Sequence, residues 1–221
     1  WGRSSLGARV EQPDVTNRGV GSFTYAADLT DWLPNAHINI DLADNLKLRL
    51  SASTGVNRPT YEEWRASASI DPIDKEINGG NPTLEAETSY GFDASIEYYL
   101  DNGSLFSAAA FMRNIDNVIY ADDSTIDAGA FIEEFAGEQW TYTGFLNGSD
   151  GKFSGIELNS VFFADDFIQG LGLSANVTFT DSEFRQANGE TVGLPGTSDL
   201  IYNAAIFYED YGISARLNYS W

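Results

Sequence analysis

The sequence predicts an all-β chain, an antiparallel up-and-down meander of about nine strands of the kind that walls a transmembrane barrel. Three observations carry that prediction. Segments of alternating apolar and polar residues recur, and a period of two is the strand period because successive side chains point to opposite faces. The connections between them alternate without exception between very short and very long, so the long ones project from one rim. The polar face carries many charges (Arg9, Glu11, Lys47, Arg49, Asp93, Glu97, Glu157 and Arg216), which a soluble sandwich core could not bury without pairing each one.

The first strand covers Ser5 to Gln12, with Leu6, Ala8 and Val10 opposed to Arg9 and Glu11. The second, Leu33 to Asp41, sets Ala36, Ile38 and Ile40 against Asn35, His37 and Asn39. The third, Leu46 to Asn57, is the clearest: Leu46, Leu48, Leu50, Ala52 and Val56 share one face, and Lys47, Arg49, Ser51 and Ser53 the other. The fourth, Thr88 to Leu100, opposes Tyr90, Phe92, Ala94, Ile96 and Tyr98 to Ser89, Asp93, Ser95 and Glu97. In the fifth, Ser104 to Tyr120, the faces are ambiguous, because Leu105, Ala109 and Phe111 share parity with Arg113; a bulge is one resolution.

The sixth strand is Lys152 to Phe163, with Ile156, Leu158 and Phe162 against Glu157 and Asn159. The seventh, Leu171 to Thr180, opposes Leu173, Ala175, Val177 and Phe179 to Ser174, Asn176 and Thr178. The eighth, Leu200 to Tyr208, is apolar on both faces. The ninth, Ile213 to Trp221, opposes Ile213, Ala215, Leu217 and Tyr219 to Ser214, Arg216 and Asn218. Connections at 43–45, 101–103, 164–170 and 209–212 are hairpin-like. Those near 13–32, 60–87, 121–151 and 181–199 run to roughly 15–30 residues, far beyond the usual few. Tyr90, Tyr98, Tyr208, Tyr219 and Trp221 fall near strand ends on the apolar face, where an interfacial girdle forms, although ordinary β-propensity also explains them.

Composition removes other classes. With 12 basic and 33 acidic residues the formal charge is −21, the wrong sign for meeting phosphates, so no nucleic-acid partner is expected. There is no cysteine, hence no disulfide framework or thiolate metal site. No apolar run approaches the roughly 20 residues of a helical span. The single histidine, His37, has no partner at catalytic spacing, no serine sits in a nucleophile elbow, and the carboxylate pairs Glu62/Glu63 and Glu133/Glu134 lie in loops without a fixed frame. No enzyme activity, cofactor or metal is therefore expected; a calcium site at 147–151 lacks the EF-hand ligand order.

Several strings go beyond pattern. Asp31-Trp32-Leu33-Pro34-Asn35 precedes the second strand, and Arg49 to Pro59 reads RLSASTGVNRP. Gly80-Asn81-Pro82-Thr83-Leu84 approaches the fourth strand, and Ser107 to Ile115 reads SAAAFMRNI. Gly155-Ile156-Glu157, Asn176 to Ser182 (NVTFTDS), Leu194-Pro195-Gly196-Thr197-Ser198 and Ser214 to Tyr219 follow in order. The ordered set resembles the C-terminal half of the barrel of TonB-dependent outer-membrane receptors, over nearly the whole chain. It looks closest to the Xanthomonas- and Caulobacter-type branch, whose members are often linked to oligosaccharide uptake.

The resemblance implies a 22-stranded barrel of which residues 1–221 are a fragment, lacking the plug and about three C-terminal strands. The alternative is that Tyr219 and Trp221 are an aromatic assembly signal at a true end. The resemblance further implies the Gram-negative outer membrane and its lipid, an N-terminal plug domain of the same full-length protein, and the TonB complex reached through a TonB box. A scarce, large solute would be the cargo, such as an oligosaccharide or a ferric siderophore. A passive porin, or an outer-membrane enzyme of the protease or phospholipase type, is the alternative. For solute or plug contact the candidates are Arg49, Asp93, Glu97, Glu157 and Arg216 in the lumen, and Trp64, Trp140 and Tyr142 in the loops. The loop 121–151 combines seven acids with five aromatics and no Lys or Arg. Rings stack on sugar faces and carboxylates accept hydroxyl hydrogen bonds, while a merely solvated acidic loop is the alternative. Acidity at the entrance suits a neutral sugar better than an anionic siderophore.

Overall fold

The computed structural model describes residues 2–11, 14–18, 24–28 and 30–221. In chain order the strands are β1 (Arg3–Glu11), β2 (Asp14–Arg18), β3 (Thr24–Asp28), β4 (Asp31–Ala43), β5 (Leu46–Asn57), β6 (Ala68–Asp71), β7 (Glu76–Gly79), β8 (Glu87–Tyr99), β9 (Leu105–Asp116), β10 (Ile119–Asp127), β11 (Gln139–Asn147), β12 (Ser149–Phe163), β13 (Leu171–Arg185), β14 (Thr191–Val192), β15 (Leu200–Asp210) and β16 (Ile213–Ser220). One helical turn, α1 (Tyr61–Trp64), follows β5. Nine of the strands form a continuous meander in the order β1-β4-β5-β8-β9-β12-β13-β15-β16, with β14 paired to β13. Every neighbouring pair along that path is antiparallel. These are the nine expected strands. The end of the first at Gln12, and the side chain of Glu11, lie outside the described residues.

The burial pattern identifies the two faces. Along β8 the apolar residues Phe92, Ala94, Ile96 and Tyr98 are exposed, while Asp93, Ser95, Glu97 and Tyr99 between them are half-buried. Phe92 is 53 % exposed, Ile156 54 %, Phe179 52 % and Leu217 71 %. A soluble β-domain hides such side chains. Here each sits in register with others of its kind: Phe92 opposite Met112 and Ala52, Ile156 opposite Ala110 and Phe179. An apolar face of this extent stands uncovered only where the surroundings are themselves apolar.

Strand β9 resolves the face ambiguity without a bulge. Its pairings with β8 and β12 run unshifted, so Phe106, Ala108, Ala110 and Met112 take the apolar face and Leu105, Phe111 and Arg113 the polar one. A phenyl ring is accommodated there because the cross-strand neighbour of Phe111 is Gly155. A Cβ on Gly155 would lie 2.5 Å from the ring, so the ring's outer edge occupies the space over bare backbone, with its centroid 5.3 Å from that of Phe153 in a tilted pair. The same device explains the two-sided apolarity of β15: Phe207 lies over Gly172, where a Cβ would be 2.1 Å from its ring.

The strand ends and long connections correct the sequence reading. The fifth strand stops at Asp116 rather than Tyr120, because Asn117 turns the chain with φ 59°, and β12 and β13 extend to Ser149 and Arg185 beyond their expected ends. The segments expected as loops near 60–87 and 121–151 are folded. They contribute β6, β7, β10 and β11 to one four-stranded sheet ordered β10-β11-β7-β6, joined by the parallel pairing of Thr141, Tyr142 and Thr143 with Glu76, Ile77 and Asn78.

Asn147 fastens this sheet to the wall. Its amide nitrogen donates to the carbonyls of Glu85 (3.0 Å) and Asn117 (2.8 Å), and its Oδ1 accepts from the Glu85 amide at 2.8 Å. Glu87 adds two more ties, accepting from the Ile119 amide and from Asn57 Nδ2. Val118, Tyr120 and Phe184 form a buried cluster, against which Leu194 and Val192 pack. The connection 186–199 is thereby drawn into the same packed layer.

Candidate functional site

The polar face of the meander carries the candidate site. Because the register is continuous, one cross-strand row reads Asn39, Arg49, Ser95, Ala109, Glu157 and Thr178. The small residues Ser95 and Ala109 make the floor of a cleft of about 550 Å³ that has Arg49 at one side and Glu157 at the other, with His37, Ser51, Asp93 and Phe111 also on its lining. The structure therefore brings together Arg49, Asp93 and Glu157 of the expected residues. Glu97 stands beside them through Arg49, which donates from Nε and Nη2 to its two carboxylate oxygens at 2.7 and 3.1 Å. Arg49 Nη1 reaches Asn39 at 3.1 Å, and the Tyr99 hydroxyl donates to Glu97 at 2.6 Å.

Asp93 is neutralised in the same way. Arg113 donates from Nη2 to both Asp93 oxygens at 3.2 and 3.3 Å and from Nη1 to Ser53, while Ser51 donates to Asp93 at 2.8 Å. The guanidinium is laid against the wall by Gly91, where a Cβ would approach Nη1 to 2.5 Å. Glu157 is held differently: its Oε1 accepts from the amides of Asn159 (2.7 Å) and Asn176 (3.0 Å). Arg216 stands apart, near a separate cleft of about 380 Å³ with Asn176, Asn203 and Asn218. Its Nε donates to Asn218, and its guanidinium lies 5.6 Å from the Phe207 ring centroid. Such partly exposed pairs are each worth about 1 kcal/mol or less in water, so their role is to fix side-chain directions.

The loop aromatics have a different place from the one expected. Trp140 is 1 % exposed, packed with Ile77 and Ala128 and against Phe135 at 4.7 Å, and its Nε1 donates to Glu138 at 3.2 Å. Trp64 is 7 % exposed and donates to the Pro82 carbonyl. Neither indole has a free ring face on which a sugar could stack; both are core residues of the folded loops. Tyr142 is half-buried, with Phe131 stacked on it at 5.9 Å. Sequence reasoning also passed over Arg113, Tyr99, Asn159 and Asn176 as site residues, although their parity with Asp93, Glu97 and Glu157 was available as a signal. No group of His, Asp and Glu able to hold a metal occurs among the described residues.

Outside the wall, two carboxylates are held below their usual range. Asp127 Oδ1 accepts from the amides of Gly137 and Gly129, closing the β10–β11 connection. Glu138 is stabilised as the anion by Trp140 Nε1 and Lys75 Nζ.

A meander whose apolar face looks outward and whose polar face is a hydrogen-bonded lattice of charges is the wall of a transmembrane β-barrel. The family described as TonB dependent receptor-like, beta-barrel matches residues 3–221, and the chain belongs to it. It is a receptor family rather than an enzyme family.

Solved structures agree on the fold. The copper transporter OprC superposes with a TM-score of 0.65 at 17 % identity, over 99 % of this chain and 31 % of its own. A mutant of the ferric enterobactin receptor PfeA from Pseudomonas aeruginosa gives 0.64 at 16 %, over 99 % and 30 %. The Serratia marcescens hemophore receptor HasR, solved with its hemophore HasA and heme, gives 0.62 at 11 %, over 98 % and 39 %. The chain thus spans between 30 % and 39 % of the length of these receptors. No curated protein sequence matches it.

Proposed function

We propose that this chain is a run of nine consecutive wall strands in the barrel of a TonB-dependent active transporter of the Gram-negative outer membrane. Outer-membrane lipid covers the apolar face. An N-terminal plug domain of the same full-length protein occupies the polar side, and the TonB complex is engaged through that N-terminus. The observation that carries this reading is the inverted burial along β8, with Phe92, Ile96 and Tyr98 more exposed than Asp93, Ser95 and Glu97. Water gives that arrangement no stability and hydrocarbon does.

The cargo we propose is a scarce, large solute, an oligosaccharide first and a ferric siderophore second. Support comes from the charge of −21 and from the acids Asp122, Asp123, Glu133 and Glu134 on the rim of the folded loops, which disfavour an anion at the entrance. The contacts are hydroxyl-to-carboxylate and hydroxyl-to-amide bonds, with the wall lattice of Arg49, Asp93, Glu97, Glu157, Arg216 and their neighbours as the polar lining. Phe131, 44 % exposed, and the half-buried Tyr142 stacked on it are loop aromatics still open to a solute.

Uptake and binding by the full-length protein test this. Proton-motive-force-dependent accumulation of maltodextrin, with saturable binding isotherms, is expected. Unenergised flux would identify a passive porin, hydrolysis of a peptide or phospholipid an enzyme, and binding of ferric siderophores alone would defeat the sugar assignment.

A further inference from the structure

The outward, apolar face of the wall is not evenly filled. One cross-strand row on it runs from Leu46 through Tyr98, Phe106, Ser160, Ala175 and Ala204 to Tyr219. Ser160, Ala175 and Ala204 are small side chains on adjacent strands, and Ala108 continues them past Phe106. Larger neighbours stand around this floor and leave two clefts, of about 650 Å³ and about 550 Å³, that share Phe106, Ser160, Ala175 and Ala204. Leu158, Val177 and Tyr202 wall the first, and Phe162, Leu173 and Ile206 the second. Together they make one groove, and the groove is a ramp. Leu46 is the first residue of β5 after its short turn and Tyr98 the last but one of β8 before its own. Ser160 lies three residues from the short-turn end of β12, and Ala204 and Tyr219 lie six from those of β15 and β16. A rise of six residues is about 20 Å along a strand, or about 15 Å in depth at the usual tilt near 40°. That is half of a hydrocarbon core of about 30 Å, so the groove climbs from the short-turn rim through one leaflet.

The rim at the foot of the ramp has one sign of charge. The four short turns carry Asp44, Asp101, Asp165, Asp166, Glu209 and Asp210 and no Lys or Arg. Lys47, next to Leu46 in the chain, takes the lumen side by parity, beside Asp41 at 3.8 Å and over the Tyr99 ring. We propose that the groove seats one acyl tail of a phospholipid from the periplasmic leaflet, and that the lipid's head carries an ammonium group, as ethanolamine does. The inference rests on the membrane-wall reading above, in which the short turns are periplasmic. The groove is continuous with a face already in hydrocarbon, and its floor offers a partner protein no set of hydrogen-bonding groups. A tail that rotates about each of its bonds can follow an oblique ramp and touch its floor throughout. A second barrel brings a convex wall of its own, which meets this one along a line and leaves the floor without contacts. At the foot, the turn carboxylates attract an ammonium and repel a head of net negative charge such as glycerol phosphate.

The test uses the full-length receptor in detergent, titrated with phosphatidylethanolamine and with phosphatidylglycerol and read by native mass spectrometry. Ala175→Phe and Ala204→Phe fill the groove from the outward face, where added bulk displaces lipid and not protein. Ala52→Phe adds the same ring to the same face outside the groove, and heat-modifiable migration reports that each barrel is intact. Wild type is expected to hold one phosphatidylethanolamine about tenfold more tightly than phosphatidylglycerol, and each filled variant to lose about tenfold in that affinity, with Ala52→Phe within about twofold of wild type. Asp44→Asn with Asp101→Asn is expected to narrow the preference between the two lipids while leaving a tail bound. Equal binding of the two lipids by wild type would overturn the proposal, as would filled variants that bind like wild type. A dimer seen in wild type and lost in the filled variants would do so too, giving the groove to a second copy. A full-length protein that stays monodisperse without detergent would remove the membrane reading itself, whereas a detergent-dependent barrel that retains no phosphatidylethanolamine removes the lipid seat alone.

Discussion

Replacing Trp140 by alanine separates a structural role from a binding one. The indole is 1 % exposed and touches the sheet of β7 and β11 on one side and Phe135 on the other. Deleting a buried indole costs about 3–5 kcal/mol. The lost hydrogen bond to Glu138 adds little, since Glu138 keeps Lys75 at 3.0 Å. At about 1.4 kcal/mol per factor of ten, the population of the opened loop sheet rises by roughly two to three and a half orders of magnitude. The wall strands, held by their own ladders, are untouched. Native-state hydrogen exchange on the full-length protein reads this directly. Amides of Glu76–Gly79 and Gln139–Asn147 lose protection by that factor, while those of β5 and β8 keep theirs. Trp140→Phe recovers most of the protection. Unchanged exchange at those amides, with weakened solute binding, would refute the core assignment and restore Trp140 to the binding surface.

Three further outcomes follow from the same geometry. Gly172→Ala places a methyl where the Phe207 ring lies, and the overpacking is expected to cost about 1–3 kcal/mol, read as a lower temperature for heat-modifiable unfolding; Gly196→Ala has open space around it, so any cost there comes from its positive φ alone. Leu158→Arg on the outward face is expected to destabilise the barrel by about 2–4 kcal/mol if it lies near the bilayer midplane, whereas Asn159→Arg on the other face leaves lipid contact unchanged; urea refolding into vesicles measures both. Asp127 has a carboxyl lowered by the Gly137 and Gly129 amides, so its contribution is complete above the ordinary carboxylate range of about 4 and is lost as pH falls through the lowered value; Trp140 fluorescence in the full-length protein should change on acidification below that range, and Asp127→Asn should flatten the profile.

The strands were legible because a two-residue period survives any local detail, and because one face had to be apolar along its whole length. Leu46–Asn57 and Glu87–Tyr99 show this best. Strand β9 was harder: Phe111 shares the face of Arg113, and its tolerance there depends on Gly155, a residue more than 40 positions away that becomes its neighbour only through the β9–β12 register. The lumen residues Arg49, Asp93, Glu97, Glu157 and Arg216 were legible as a face, since parity alone assigns them. Their pairing was not, because Arg113 reaches Asp93 diagonally across strands.

The loop sheet was missed for a physical reason. Its strands are short, and its decisive contact is a parallel pairing between Glu76–Asn78 and Thr141–Thr143, which no local pattern announces. Gln139–Asn147 does alternate aromatic residues with threonine, the composition of a strand. Weighing that run as structure rather than as a solute-facing surface would have placed Trp140 in the core.

The central claim is that alternate residues of each wall strand face hydrocarbon and a polar lumen. Site-directed spin labelling tests it most directly, and a chain without cysteine suits single labels. In the full-length protein in bilayers, labels at Phe92, Ile96, Leu158 and Leu173 should relax with oxygen, and labels at Ser95, Ala109, Asn159 and Asn203 with a water-soluble nickel chelate or not at all. The account predicts a two-residue alternation in the ratio of the two accessibilities along β8 and β12. Uniform accessibility to the aqueous reagent along both strands would contradict it.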